Sequence, residues 1–220
     1  EALKSVQTGG IIMDPNTGEI FALSVVPSFD LNDKTGIEIS QFRNPLVENV
    51  YELGSIIKPL TMASGIDSRA VNAQSTYYDA GFLEIDNYKI YNYDKKGRGT
   101  VSMQEVLNQS LNTGVAHIVK EMGGKNFKQY FTNLEFGTET GIDVPSETHG
   151  LIDNLDNPRD IELATASYGQ GIALTPIAAV RALSALANGG ELVTPHIAKE
   201  IRLTDGTIRE VSYPPNKRVF

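Results

Sequence analysis

Pro59 places the tightest constraint on this chain. Lacking an N–H, it is tolerated in an α-helix only within the first turn. It sits in the run Tyr51-Glu52-Leu53-Gly54-Ser55-Ile56-Ile57-Lys58-Pro59-Leu60-Thr61. A helix that buries Ile56, Ile57 and Leu60 must therefore begin near Ser55, and it is expected to run to about Arg69. Ser55 and Lys58 then share one face, neighbours across a single turn. Unpaired N–H groups and the positive end of the dipole at a helix start favour developing negative charge. A serine hydroxyl is a weak nucleophile without a neighbouring base. A lysine can serve once burial lowers its pKa and frees the neutral amine. In a chain of this composition about one S-x-x-K arises by chance, and one is found. The pair takes its meaning from its surroundings.

With 220 residues, 40% of them hydrophobic, the chain can bury one substantial core. A net charge of -8 argues against a nucleic-acid partner, which needs a basic face. The sequence contains no run of about 18 apolar residues, so no membrane span is expected in it. Without cysteine there are no disulfides or thiolate metal sites. His117, His149 and His196 lie far apart and read as surface or capping residues; no metal site and no cofactor is expected.

Taken in order, Gly10–Met13 and Ile20–Val26 form β-type runs around the turn Asp14-Pro15-Asn16-Thr17-Gly18, an antiparallel hairpin. Pro27 to Asn32 reads as a loop, and residues 33–50 as irregular. Residues 70–100 read as short strands and a loop, with the tyrosines as packing. Ser102 caps a helix that continues toward Ser110 and Asn112. A second helix runs from about Val115 to Met122, and a third from Phe127 to Leu134. Thr140 to Gly150 is turn-rich, and Asp153 to Asp160 reads as a solvated charged loop. Ile161–Ser167 is a short helix, and Tyr168-Gly169-Gln170-Gly171 follows it. Thr175-Pro176 opens a helix over 176–188, with Ile177, Val180, Leu183 and Leu186 on its apolar side. Residues 197–203 and 207–212 form a second hairpin around Asp205-Gly206.

Ser110-x-Asn112 is the one S-x-N in the chain. Taken alone, it reads as a helix-capping pair. Placed in a cleft, its hydroxyl could relay a proton and its amide could hold a substrate carbonyl.

Ser55-x-x-Lys58 followed by Ser110-x-Asn112 resembles the order found in penicillin-recognising serine enzymes, whose signature also includes K-T-G. The likeness to the transpeptidase domain of class B penicillin-binding proteins extends through Asp14–Ala22, Pro27–Asn32, Arg43-Asn44-Pro45, Gly141–Glu147, Tyr168–Gly171 and Thr175-Pro176. It covers nearly the whole chain in collinear order. Leu53 stands where the family usually has proline. Lys34-Thr35-Gly36 precedes Ser55 and is rejected as the third motif. No K-T-G or K-S-G follows Asn112, so residues 1–220 are expected to be an incomplete transpeptidase domain, without its third-motif strand, N-terminal anchor and pedestal.

What the resemblance implies is an α/β (α+β) fold, an antiparallel sheet flanked by helices with the site at the start of the Ser55 helix. It implies a peptidoglycan D,D-transpeptidase in which Ser55 attacks a terminal D-Ala-D-Ala, Lys58 takes its proton, Ser110 protonates the leaving D-alanine and Asn112 binds the donor peptide. The Ser55 N–H and a second donor outside these residues would hold the oxyanion. The implied partners are donor and acceptor stem peptides, β-lactams and cell-wall synthesis proteins, on the outer face of the cytoplasmic membrane. Hydrolysis of the same acyl-enzyme, as in a D,D-carboxypeptidase or β-lactamase, stays open, as does a penicillin-sensing module without turnover.

Overall fold

The computed structural model describes residues 8–30, 32, 35, 36 and 42–220. The first hairpin forms as expected. Strands β1 (Thr8–Met13) and β2 (Ile20–Val26) pair antiparallel, with an irregularity that leaves Phe21 unmatched between Ala22 and Ile20. Asp14 closes the turn by accepting the Asn16 N–H at 2.7 Å. Gly18 is required there: its φ is +85°, and a Cβ would stand 2.2 Å from the Thr194 carbonyl oxygen.

Helix α1 (Pro45–Glu48) occupies a stretch expected to be irregular. A single turn is too short to show a period, yet its Asn44 cap, which accepts the Leu46 N–H, and Pro45 at the first position are ordinary start signals.

The Ser55 segment differs from expectation in one instructive way. Gly54–Ile57 is a 3-10 turn, and the α-helix proper, α2, spans Lys58–Asp67. Pro59 has no N–H to give the Ser55 carbonyl, so that carbonyl accepts the Lys58 N–H instead, and the tighter turn results. The helix also stops short of Arg69, whose φ of 61° is left-handed.

Strand β3 (Thr76–Asp79) pairs with β6 (Gly99–Ser102), and between them β4 (Phe82–Ile85) pairs with β5 (Tyr88–Tyr91). Ser102 caps α3 (Met103–Asn108), accepting the Glu105 N–H at 3.4 Å. Helix α4 (Asn112–Met122) starts three residues earlier than its apolar pattern predicts, which puts Asn112 inside the first turn. Helices α5 (Gly124–Asn133) and α6 (Asp160–Ala166) follow. Within the charged 153–160 loop Leu155 is fully buried, so only its polar residues are solvated.

Thr175 caps α7 (Pro176–Ser184), accepting the Ala178 N–H at 3.2 Å. This helix is shorter than expected, and Leu186 lies past its end and is exposed. The chain closes with β7 (Glu191–Leu192) against β10 (Lys217–Arg218), and with the exposed hairpin of β8 (Glu200–Arg202) and β9 (Ile208–Glu210). The α/β class holds, and the five ladders between the named strands are antiparallel, while an isolated bridge between Glu19 and His196 is parallel. The pairing is spread over five two-stranded ribbons rather than gathered into one sheet.

Two buried clusters meet at the α2–α4 pair. One holds Ile57 and Leu60 against Phe127, Phe131 and Phe136; the other holds Met62 against Val106, Val115 and Ile118. Gly65 makes the close approach possible, since a Cβ there would meet Ile118 at 2.4 Å. Each large side chain buried here contributes about 1.5–3 kcal/mol. The turn that carries Ser55 is therefore fixed by the main core.

Candidate active site

Ile57 and Leu60 face the core, and that orientation decides what their neighbours do. Ser55 is exposed, while Lys58 is only 2% exposed. The Lys58 amine does not end on Ser55. It donates to the Ser110 backbone carbonyl at 2.6 Å and to Ser110 Oγ at 2.8 Å. Burial brings the Lys58 pKa down from 10.5 to about 8. The structure thus joins the two motifs through Lys58 and leaves the Ser55 hydroxyl open to solvent one turn earlier.

A second segment cradles the Ser55 turn. The Gly54 N–H donates to the Gly169 carbonyl at 3.1 Å, and the Gly171 N–H donates to the Glu52 carboxylate at 2.9 Å. Tyr51 and Leu174 exchange backbone hydrogen bonds of 2.9 and 3.0 Å. Gly169 has φ +77°, and a Cβ on it would stand 2.2 Å from the Gly54 carbonyl oxygen. Tyr168 is buried beside this contact, and burial pushes its hydroxyl up to about 12. The Tyr168–Gly171 run, which the sequence marked only as part of the family resemblance, supports the Ser55 turn.

Ser110 sits between α3 and α4 with φ 53°, a left-handed conformation costing roughly 1–2 kcal/mol for a residue with a Cβ. Asn112 donates its side-chain N–H to the Tyr91 carbonyl at 2.9 Å. Behind them lies a buried polar knot. Asp79 accepts from Asn92 Nδ2 at 2.9 Å on both carboxylate oxygens and from the Gly81 N–H at 2.9 Å. Thr113 Oγ1 lies 3.0 Å from both Asp79 and Asn92, and the Tyr77 hydroxyl lies 3.1 Å from Thr113. Asp79, Asn92 and Thr113 are each no more than 2% exposed. Sequence reasoning missed this knot. Its one signal was Thr113 beside Asn112, with Asp79 on an alternating strand.

The tyrosines of residues 77–93 divide. Tyr77 packs inside, stacked on His117 at 5.3 Å between ring centroids, whereas Tyr78, Tyr88, Tyr91 and Tyr93 are exposed. This corrects the packing assignment: a two-stranded ribbon has a core on only one face. Of the three histidines expected at the surface or in caps, His117 is instead half-buried against Tyr77. Burial lowers the His117 pKa, with Glu121 opposing, His149 contacts the Gly150 carbonyl, and His196 stacks on Tyr213. Of the early K-T-G, Thr35 and Gly36 lie in a turn and Lys34 falls outside the described residues.

The arrangement offers an exposed hydroxyl at a helix start, a buried amine with a lowered pKa, a second hydroxyl bonded to that amine, and an amide held in place. An arrangement of this kind can carry acyl transfer through a serine ester.

A family model described as the penicillin binding protein transpeptidase domain matches residues 8–220. The chain is 35% identical over 214 residues to stage V sporulation protein D of Bacillus subtilis, covering 96% of this chain and 33% of that protein. It is 32% identical over 198 residues to a peptidoglycan D,D-transpeptidase FtsI homolog of Mesostigma viride, covering 85% and 33%. The chain thus spans about a third of the length of these curated relatives. Penicillin binding protein 3 of Mycobacterium tuberculosis, complexed with ampicillin, superposes with a TM-score of 0.90 at 23% identity, over 97% of this chain and 48% of that one. At that identity the likeness speaks for the fold.

Proposed function

The chain belongs to the penicillin-binding protein transpeptidase family, and from that membership we propose that it supplies the acyl-serine site of a peptidoglycan D,D-transpeptidase. The observation that carries the proposal is Lys58: a buried amine, lowered to about 8, bonded to Ser110 and one turn from an exposed serine. At pH 7 about a tenth of such an amine is neutral, enough to act as a base.

In this reading Ser55 Oγ attacks the carbonyl of a terminal D-Ala-D-Ala while Lys58 takes its proton. The Oγ–carbon bond forms, the amide C–N bond breaks, and the proton passes through Ser110 to the departing D-alanine. The Ser55 N–H, in the first turn and without an intrahelical acceptor, faces the developing oxyanion. Asn112 spends one N–H on Tyr91 and keeps its carbonyl and second N–H for the donor peptide. An acceptor amine from a neighbouring stem peptide then attacks the ester, freeing Ser55 and forming the cross-link. β-Lactams, whose strained amide imitates the donor, would acylate the same serine. The substrate places the reaction outside the cytoplasmic membrane, alongside other cell-wall synthesis proteins.

The test is intact-mass analysis of the intact gene product after exposure to a penicillin. One adduct is expected, lost in Ser55→Ala. An adduct retained in that variant overturns the assignment of Ser55, and no adduct in the native protein overturns the acyl-serine reading.

A further inference from the structure

Helix α4 opens without a cap of its own. Its N-cap position is held by Leu111, which is buried in the core and offers no side-chain acceptor. An uncapped first turn leaves N–H donors unpaired and frays. Yet this turn carries Asn112 and follows directly on Ser110 in its left-handed conformation. The missing acceptor comes from another ribbon. Asn92, just past β5, points Oδ1 at the Thr113 N–H, 3.3 Å away. The neighbouring Tyr91 carbonyl accepts from the Asn112 side chain at 2.9 Å. Residues 91 and 92 thus clasp the first two residues of α4.

Asp79 decides which way the Asn92 amide faces. Both of its carboxylate oxygens accept from Asn92 Nδ2, and the Lys96 carbonyl is a third acceptor at 3.3 Å. The nitrogen end of the amide is therefore committed, and its oxygen is left for Thr113. The Asp79 charge also lies at the positive end of the α4 dipole, 3.0 Å from the Thr113 hydroxyl. Both Asp79 and Asn92 are buried, so water does not stand in for either partner.

We propose that Asp79 and Asn92 are positioning residues for the acyl-serine site: together they supply the N-cap that α4 lacks, and by fixing its first turn they fix the Ser110 oxygens that hold Lys58. The proposal rests on the acyl-serine reading above for the chemistry that this positioning serves. Among the described residues, both hydrogen bonds of the Lys58 amine go to Ser110. Only Leu111, anchored in the core, and Asn112 separate Ser110 from Thr113, so a shift at the start of α4 is passed to Ser110. An amine released from Ser110 reaches the water beside the exposed Ser55, and its pKa then returns toward the ordinary value. Three other ionisable groups surround the cap. Burial pushes Tyr77 up to about 12, Arg98 stays charged, and burial lowers His117, which stacks on Tyr77. None of them changes charge between about pH 7.5 and 10.5, the range over which Lys58 is read.

The test titrates Lys58 by NMR in the intact gene product with isotope-labelled lysine, its signal assigned through Lys58→Arg, and measures acylation by a penicillin in parallel. Asn92→Ser keeps a hydroxyl donor for Asp79 but is too short to reach the Thr113 N–H. It should move the Lys58 midpoint from about 8 toward 10.5 and slow acylation about tenfold or more, with an unchanged circular dichroism spectrum. The exchanged pair Asp79→Asn/Asn92→Asp returns an acceptor to Thr113 and a donor between the two side chains, and should restore both readouts. If Asn92→Ser does not fold, Asp79→Leu/Asn92→Leu removes the cap without stranding a buried partner and should show the same two changes. A Lys58 midpoint that stays at the native value in the uncapped protein overturns the proposal. So does acylation within about threefold of native, or an exchanged pair no better than the uncapped protein. A native protein that is not acylated at Ser55 defeats the acyl-serine reading, and the Lys58 titration still judges the cap. Normal acylation of the native protein with an unmoved Lys58 in the uncapped one isolates failure of the cap.

Discussion

Lys58 carries an ordinary lysine pKa of 10.5 in the unfolded chain and about 8 once buried. Between these values the unfolded chain holds more protons, so folding stability from this group rises with pH from about 8 to 10.5, while below 8 the full cost of burying the charge is present. The urea midpoint of the native protein should therefore gain on that of Lys58→Met as pH rises from 8 to 10. Parallel midpoints across that range would show that the amine is not desolvated. The same shift sets the expected pH profile: β-lactam acylation should climb about tenfold per unit below pH 8 and level off above it. Arginine at this position keeps the charge but cannot lose its proton. Lys58→Arg should slow acylation by about a hundredfold or more in a stopped-flow assay, and a loss under threefold would leave the lysine a purely structural part.

Two local supports set the position of the motifs, and each can be broken separately. Gly169 allows the 168–171 segment to touch the Ser55 turn. In Gly169→Ala the new Cβ meets the Gly54 carbonyl at 2.2 Å in a left-handed backbone. The turn must move, and acylation should fall at least about tenfold with the fold retained by circular dichroism; an unchanged rate would mean that the contact does not position Ser55. The second support is the knot of Asp79, Asn92 and Thr113. Thr113→Val removes a donor from a buried carboxylate, and a group left short of hydrogen bonds in that setting costs about 1–3 kcal/mol. A denaturant midpoint equal to that of the native protein would show that the knot is already fully paired without the threonine.

At the scale of the whole molecule, stability is uneven. The Ser55 turn, α2 and α4 belong to the main cores, whereas β8 and β9 are exposed along every residue. What holds that hairpin is Asp143, which accepts the Ile197 and Ala198 N–H groups at 2.8 and 2.7 Å and the Tyr213 hydroxyl at 2.8 Å. Asp143→Ala should strip hydrogen-exchange protection from residues 197–213 while the protection of α2 and α4 stays within about twofold. Equal loss in both regions would show that the hairpin and the core open as one unit.

Local chemistry by itself determined the first hairpin, the caps at Ser102 and Thr175, the stop at Gly123 and the placing of Ser55 and Lys58 at a helix start. Each depends on a turn, a cap or a proline acting within a few residues. The family resemblance was legible for the same reason, since its motifs are short and collinear. The extent of the Ser55 helix was not, because Pro59 trades one α-type bond for a 3-10 bond at that single carbonyl. Three things were decided only by tertiary structure: that Lys58 reaches Ser110 across 52 positions, that Gly169 cradles Gly54, and that Asp79 and Asn92 stand behind Asn112. None has a periodic signature. Each is a hydrogen bond or a close approach between segments far apart in the chain, brought together where α2, α6, β3 and β5 all pack against α4.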